Sequence, residues 1–127
     1  MTLDKEAAIL RYCAAWDEPN LARRADLLGP IWDEQAVYCD PTVILSGPEA
    51  LIAHIDAVRA AFPNSRLELT SGIDIHHDVA RFGWRRVFDD GTVRPDSVDF
   101  VEFGDDASLR KIVGFFGPLP DLTNQDV

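Results

Sequence analysis

The sequence predicts an α+β domain in which a curved antiparallel sheet packs on three to four helices of the N-terminal half and leaves a pocket between the layers. Three observations predict it. Apolar residues repeat at helical spacing in two stretches up to Phe62, with a capped helix between them. From Arg66 onward the period changes to two. Turn signals such as Asp90-Gly91 and Gly104-Asp105-Asp106 then join one strand directly to the next. Consecutive strands joined this way pair as antiparallel neighbours, with helices gathered on one side, which excludes a doubly wound parallel sheet. One domain is expected over residues 1–117, followed by a loose polar tail at 118–127.

The first helix is expected over residues 2–16, capped by Thr2 with Asp4 and Glu6 in its first turn. Its apolar face is read as Leu3, Ala7, Leu10 and Ala14, widened by Ile9, Cys13 and Trp16, with Tyr12 beside that face. Pro19-Asn20 breaks the chain, and Asn20 can cap a second helix reaching Leu28, ended by Gly29-Pro30. A short helical turn is expected at 31–34. Residues 36–40 read as a short strand stopped by Pro41, with 43–45 as its companion.

The next helix starts either at Ser46, in a capping box with Glu49, or at Gly47 with Pro48 in the first helical position. Leu51, Ile55, Val58 and Phe62 form its stripe, and Pro63-Asn64 closes it. Leu67, Leu69, Ile73 and Ile75 alternate with polar residues around a bend at Ser71-Gly72. His76-His77-Asp78 is a turn, and strands follow at Val79–Phe88, Ser97–Phe103 and 109–116.

With 22 acidic and 12 basic residues the net charge is −10, which repels nucleic-acid backbones and anionic membranes. Two cysteines, Cys13 and Cys39, are too few for a disulfide scaffold. No signal-like opening and no apolar run of about 20 residues is present, so a cytoplasmic protein with free thiols is expected.

Asp99 is the most informative single residue. Its strand face carries Val101 and Phe103, while the other carries Val98, Phe100 and Glu102, so the alternation leaves the inward face open. Facing in, the carboxyl would have a raised pKa; facing out, it would meet solvent or pair with Arg85 or Arg86. Asp40 is open in the same way, and an Asp before Pro41 at a strand end is most often a turn residue. Phe82 and Trp84 share a strand face and either line a pocket or simply pack. The pattern leaves open whether His76, His77, Arg85 and Arg86 face that pocket. His54, His76 and His77 lack metal-ligand spacing, and no phosphate loop or nucleophile elbow occurs, so no metal and no cofactor is expected.

Arg11-Tyr12 with Trp16-Asp17, the segment from Ala36 to Asp40-Pro41 with Gly47 opening a helix, and Asp96-Ser97-Val98-Asp99 with Phe103 form a pattern. It resembles the nuclear-transport-factor-2-like superfamily, particularly its ketosteroid-isomerase-like and SnoaL-like branches. The resemblance runs over almost the whole chain in element order. It implies a cone-shaped, cystatin-like sheet and a cofactor-free enzyme acting on a small hydrophobic carbonyl compound. Ketosteroid isomerase carries out that chemistry. Asp40 would remove a proton next to the carbonyl; Tyr12 and a protonated Asp99 would donate hydrogen bonds to the oxygen. Trp16, Phe82, Trp84, Val101 and Phe116 would contact substrate. A homodimer through the sheet is also implied, with Val98 and Phe100 on the paired face. The same superfamily includes polyketide cyclases, non-catalytic binding or dimerisation modules, and epoxide hydrolases that hold a water between Asp, Arg and Asp.

Overall fold

Asp4 starts the first helix, its carboxylate accepting a hydrogen bond from the Ala7 amide at 2.7 Å in a computed structural model that describes residues 4–123. Thr2 and Leu3, expected at this end of the helix, lie outside the described residues. The helix α1 (Lys5–Asp17) buries Ala8, Ile9, Tyr12, Ala15 and Trp16. The expected face is therefore rotated: Leu10 is 46% exposed, and Tyr12 sits at the centre of the buried stripe. The physical reason is area, since two aromatic rings at i and i+4 outweigh a leucine and alanines when only one face can be buried. Helix α2 (Leu21–Leu28) has Asn20 as its cap, as expected.

No helical turn forms at 31–34. Ile31 and Trp32 both run into the core, and the Ile31 carbonyl accepts from the Leu109 amide at 2.9 Å instead of serving a helix. The Trp32 indole N–H donates to the Gly47 carbonyl at 3.1 Å, tying this turn to the start of the next helix. The protein thus has three helices among the described residues.

Strands β1 (Val37–Asp40) and β2 (Val43–Ser46) form a hairpin. Helix α3 (Pro48–Ala61) starts from Gly47 at φ 84° with Pro48 in its first turn, which selects the Gly-Pro start over the Ser46 box. It buries Leu51 and Ile55 of its stripe. The remaining strands are β3 (Ser65–Leu69), β4 (Asp74–His76), β5 (Val79–Phe88), β6 (Ser97–Phe103) and β7 (Leu109–Phe115). The chain bends at Ser71 between β3 and β4, and both pair with β5. Asp90-Gly91 turns as expected, but the returning chain makes only an isolated bridge, Val87 with Val93, before β6 begins at Ser97.

The sheet order is β2-β1-β7-β6-β5-β3, and one pairing departs from the all-antiparallel expectation. β1 lies parallel to β7, with Tyr38 opposite Ile112 and Cys39 opposite Val113. An N-terminal hairpin added to a C-terminal strand has no turn to dictate its direction, so non-local packing sets it. The helices cover one face of this mixed, curved sheet. On the other face Phe100 and Phe115 are exposed and meet edge to face. No helix among the described residues is long and apolar enough to cross a membrane. Residues 118–123 contain no helix or strand, and 124–127 of the expected tail lie outside the described residues.

Candidate active site

Between the helices and the concave sheet face lies a cavity of about 680 Å³, lined mostly by apolar side chains. One polar wall is built by three neighbouring strands. β7 runs between β1 and β6, with Gly114 paired to Asp99 and Asp40 on the other side. A side chain at Gly114 would fill the space the two carboxylates use: a Cβ there would stand 3.0 Å from Asp99 Oδ1 and 3.5 Å from the Asp40 Cβ. A lone glycine inside a strand is a sequence signal for such a close approach, and Gly114 was not singled out on it.

The alternation along β6 is now resolved. Ser97, Asp99, Val101 and Phe103 face in, while Phe100 faces out. Asp99 is 6% exposed. Its Oδ1 accepts from the Trp84 indole N–H at 2.9 Å. Burial drives its pKa up to about 7, helped by the charge of Asp40 and opposed by the Trp84 hydrogen bond. Neither expected arginine pairs with it: Arg85 bridges to Glu68 at 3.0 Å, and Arg86 donates to the Ser65 hydroxyl at 2.9 Å.

Asp40 has the opposite environment. Its Oδ1 accepts from the Thr42 amide (2.7 Å), the Thr42 hydroxyl (2.6 Å) and the Val43 amide (3.2 Å), while Oδ2 accepts from the Tyr38 hydroxyl at 2.6 Å. Burial pushes the Asp40 pKa up, but these donors outweigh it and hold the group below its ordinary value. The turn reading and the pocket reading of Asp40 therefore both hold, because the Asx turn made by Oδ1 is what keeps a cavity carboxylate ionised. Tyr38 was missed, although its i, i+2 spacing places it on the face of Asp40. His54, weighed in the sequence only as a metal ligand, has its Nε2 3.6 Å from Asp40 Oδ2, and its ring packs against Trp16 and Tyr38.

Tyr12 enters the cavity from α1, stacked on Trp32 and edge-on to Trp16. Burial holds its hydroxyl well above the ordinary pKa, with Asp99 adding to the rise and the Trp16 side chain partly offsetting it. It therefore stays a neutral O–H donor beyond the range of an ordinary tyrosine. Trp16, Phe82 and Trp84 line the same cavity, and Phe116, 47% exposed, stands at its mouth edge-on to Trp84. Val101 does not line it. Two residues along β6 carry it about 7 Å past Asp99, to where the core is filled. His76 and His77 are exposed and outside the cavity, whereas Arg86 lines it. Among the described residues no three His, Cys, Asp or Glu side chains cluster as metal ligands.

No protein-family model matches the chain, and no curated protein matches it. Solved structures do. A proposed isomerase of the SnoaL-like family from Agrobacterium tumefaciens is 32% identical, with a TM-score of 0.82 over 87% of this chain and 95% of that one. A proposed polyketide cyclase from Sinorhizobium meliloti is 15% identical, with a TM-score of 0.66 over 84% of this chain and 92% of its own. AclR, a proposed hydroxylase from Streptomyces galilaeus, is 18% identical, with a TM-score of 0.63 over 94% and 85%. The latter two share the fold alone.

Proposed function

This chain belongs to the SnoaL-like family of the nuclear-transport-factor-2-like superfamily, and we propose that it is a cofactor-free acid–base enzyme that moves a proton next to the carbonyl of a hydrophobic substrate. The observation that carries the reading is the pair of carboxylates flanking Gly114, one held ionised and the other held near neutrality in a single apolar cavity. Environments that push two carboxyl groups apart in pKa divide the acid and base roles between them.

In this reading the substrate's carbonyl oxygen lies against Tyr12 and protonated Asp99. Both are donors fixed before charge develops, in surroundings that strengthen each hydrogen bond. Asp40 takes the proton from the adjacent carbon. A carboxylate with four hydrogen bonds is a weak base, so the carbon acid must itself be activated, as in a β,γ-unsaturated ketone or a 1,3-dicarbonyl. The hydrogen bonds on Asp40 also favour a second reading, in which Asp99 moves the proton and Asp40 acts as a fixed anion that raises its pKa. The outer sheet face around Val98 and Phe100 is proposed to pair two copies of the chain, since exposed Phe100 and Phe115 form one apolar patch there.

The test is deuterium exchange at the activated carbon of 2-tetralone, followed by NMR across pH 5–9. Saturable exchange, reduced about 100-fold or more by Asp40→Asn, supports the proposal. A rate that falls as pH rises through about 7 identifies neutral Asp99 as the oxygen's donor, because its protonated fraction is lost there. A rate that rises through the same pH identifies Asp99 as the base. Exchange no faster than in buffer, for wild type and Asp40→Asn alike, sinks the acid–base reading.

A further inference from the structure

Ten arginines occur in the chain, and their partners differ in a way that bears on the cavity. Arg23, Arg24, Arg66, Arg81, Arg85 and Arg110 each lie within 4.0 Å of a carboxylate. Arg11 donates to the carbonyls of Leu27 and Asp26, and Arg59 to that of Trp16. Arg86 and Arg94 remain, and both line the cavity. Among the described residues neither forms an ion pair; Arg86 has the neutral Ser65 hydroxyl and Arg94 has no side-chain hydrogen bond.

The two are held side by side. The Arg94 amide donates to the Arg86 carbonyl at 2.9 Å, and their guanidinium carbons lie 5.0 Å (Arg86) and 5.5 Å (Arg94) from the Phe62 ring centroid. Arg86 is half-buried. Burial lowers its pKa, Asp17 pulls it back up, and Arg94 and Arg59 lower it further, so its charge is under-compensated. Asp17 lines the same cavity and acts on Arg86 electrostatically, but its carboxylate accepts from the Leu67 amide and forms no ion pair with either arginine. In a chain with 22 acidic residues, two adjacent guanidiniums with no carboxylate within 4.0 Å among the described residues are suited to receive an anion.

We propose that the substrate is an elongated, largely apolar oxo acid, whose carboxylate is received by Arg86 and Arg94 while its carbonyl oxygen lies at the Tyr12–Asp99 end. The carbonyl end of this assignment rests on the acid–base reading above; the anion end does not. Arg86 is four residues along β5 from Phe82, the partner of Asp99, which is about 13 Å of strand. Phe82 and Trp84 supply apolar wall between the two ends. Two planar guanidinium forks match a carboxylate in shape as well as charge. With a net charge of −10 the protein repels anions at long range, so the selectivity must come from this local pair.

Fluorescence titration with 2-naphthol and 6-hydroxy-2-naphthoate separates the two ends. Wild type is expected to bind the naphthoate at least about ten-fold more tightly. Arg94→Met, at an exposed position, and Arg86→Met should each erode that preference, and together abolish it, with naphthol affinity held within about two-fold. Equal affinity for the two probes in wild type, or a preference that survives the double substitution, overturns the proposal. Asp99→Asn is the control for the other end. If it leaves naphthol affinity unchanged while the carboxylate preference persists, the acid–base reading falls and the anion site stands. If naphthol binding responds to Asp99→Asn but the naphthoate has no advantage, the anion site falls and the acid–base reading stands. Absence of binding by either probe at millimolar concentration defeats both.

Discussion

Replacing Asp99 with Asn removes a titrating group while keeping its shape and an oxygen for the Trp84 N–H. In the folded protein the Asp99 carboxyl has a pKa of about 7 against an ordinary 3.8, mainly because burial penalises its charge. Between those two pH values the unfolded chain has lost this proton and the native state still holds it. The unfolded state therefore binds fewer protons, and stability falls as pH rises. At ~1.4 kcal/mol for each pH unit over about three units, ionising Asp99 costs the wild type about 4 kcal/mol by pH 8. Below about pH 4 both states are protonated and the effect vanishes. The assay is urea denaturation of wild type and Asp99→Asn from pH 4.5 to 8.5, taken as the difference between the two. Asp17, whose pKa burial also raises, contributes to both proteins and cancels when uncoupled from Asp99. Asp99→Asn should gain on wild type steadily across the interval and level off above about pH 7. Parallel curves would refute the reasoning, since they would mean that the Asp99 carboxyl titrates alike folded and unfolded.

The Trp84 N–H lowers the Asp99 pKa, so Trp84→Phe should move the midpoint above about 7, read from the carboxyl carbon by NMR; a fall would count against that hydrogen bond. Gly114→Ala sets a methyl 3.0 Å from Asp99 Oδ1, which Trp84 holds in place, and overpacking of this kind costs about 1–3 kcal/mol. Thermal unfolding measures that loss, and an unchanged melting temperature would show that the carboxylates yield freely.

Local features of the chain were readable where local rules govern them. β5 spans Val79–Phe88 as its alternation indicates, Asn20 caps α2, and Gly47-Pro48 opens α3. The rotation of α1 was not readable from Leu10 and Ala14, because which stripe is buried depends on what the helix packs against. The absence of a helical turn at 31–34 has the same origin, with the Ile31 carbonyl claimed by Leu109 from the far end of the chain. Tyr38 and Gly114 did carry signals, one in strand alternation and the other as a glycine inside a strand. Those signals gain meaning only once the neighbouring strand is known.

By itself the sequence determined the elements, their order and the residue types at positions 12, 40 and 99, because helix periods, caps and turns depend on neighbours a few residues away. Tertiary structure alone decided that β7 lies between β1 and β6, that Gly114 leaves room for two carboxylates, and that Arg86 and Arg94 look into the same cavity. The pKa of a carboxyl depends on the solvent it loses and the donors it gains. For Asp99 the solvent is excluded by side chains from strands and helices far away in sequence, while for Asp40 the donors are Thr42, Val43 and Tyr38, close by in the chain. The two acids look alike in the chain and are made different by the fold.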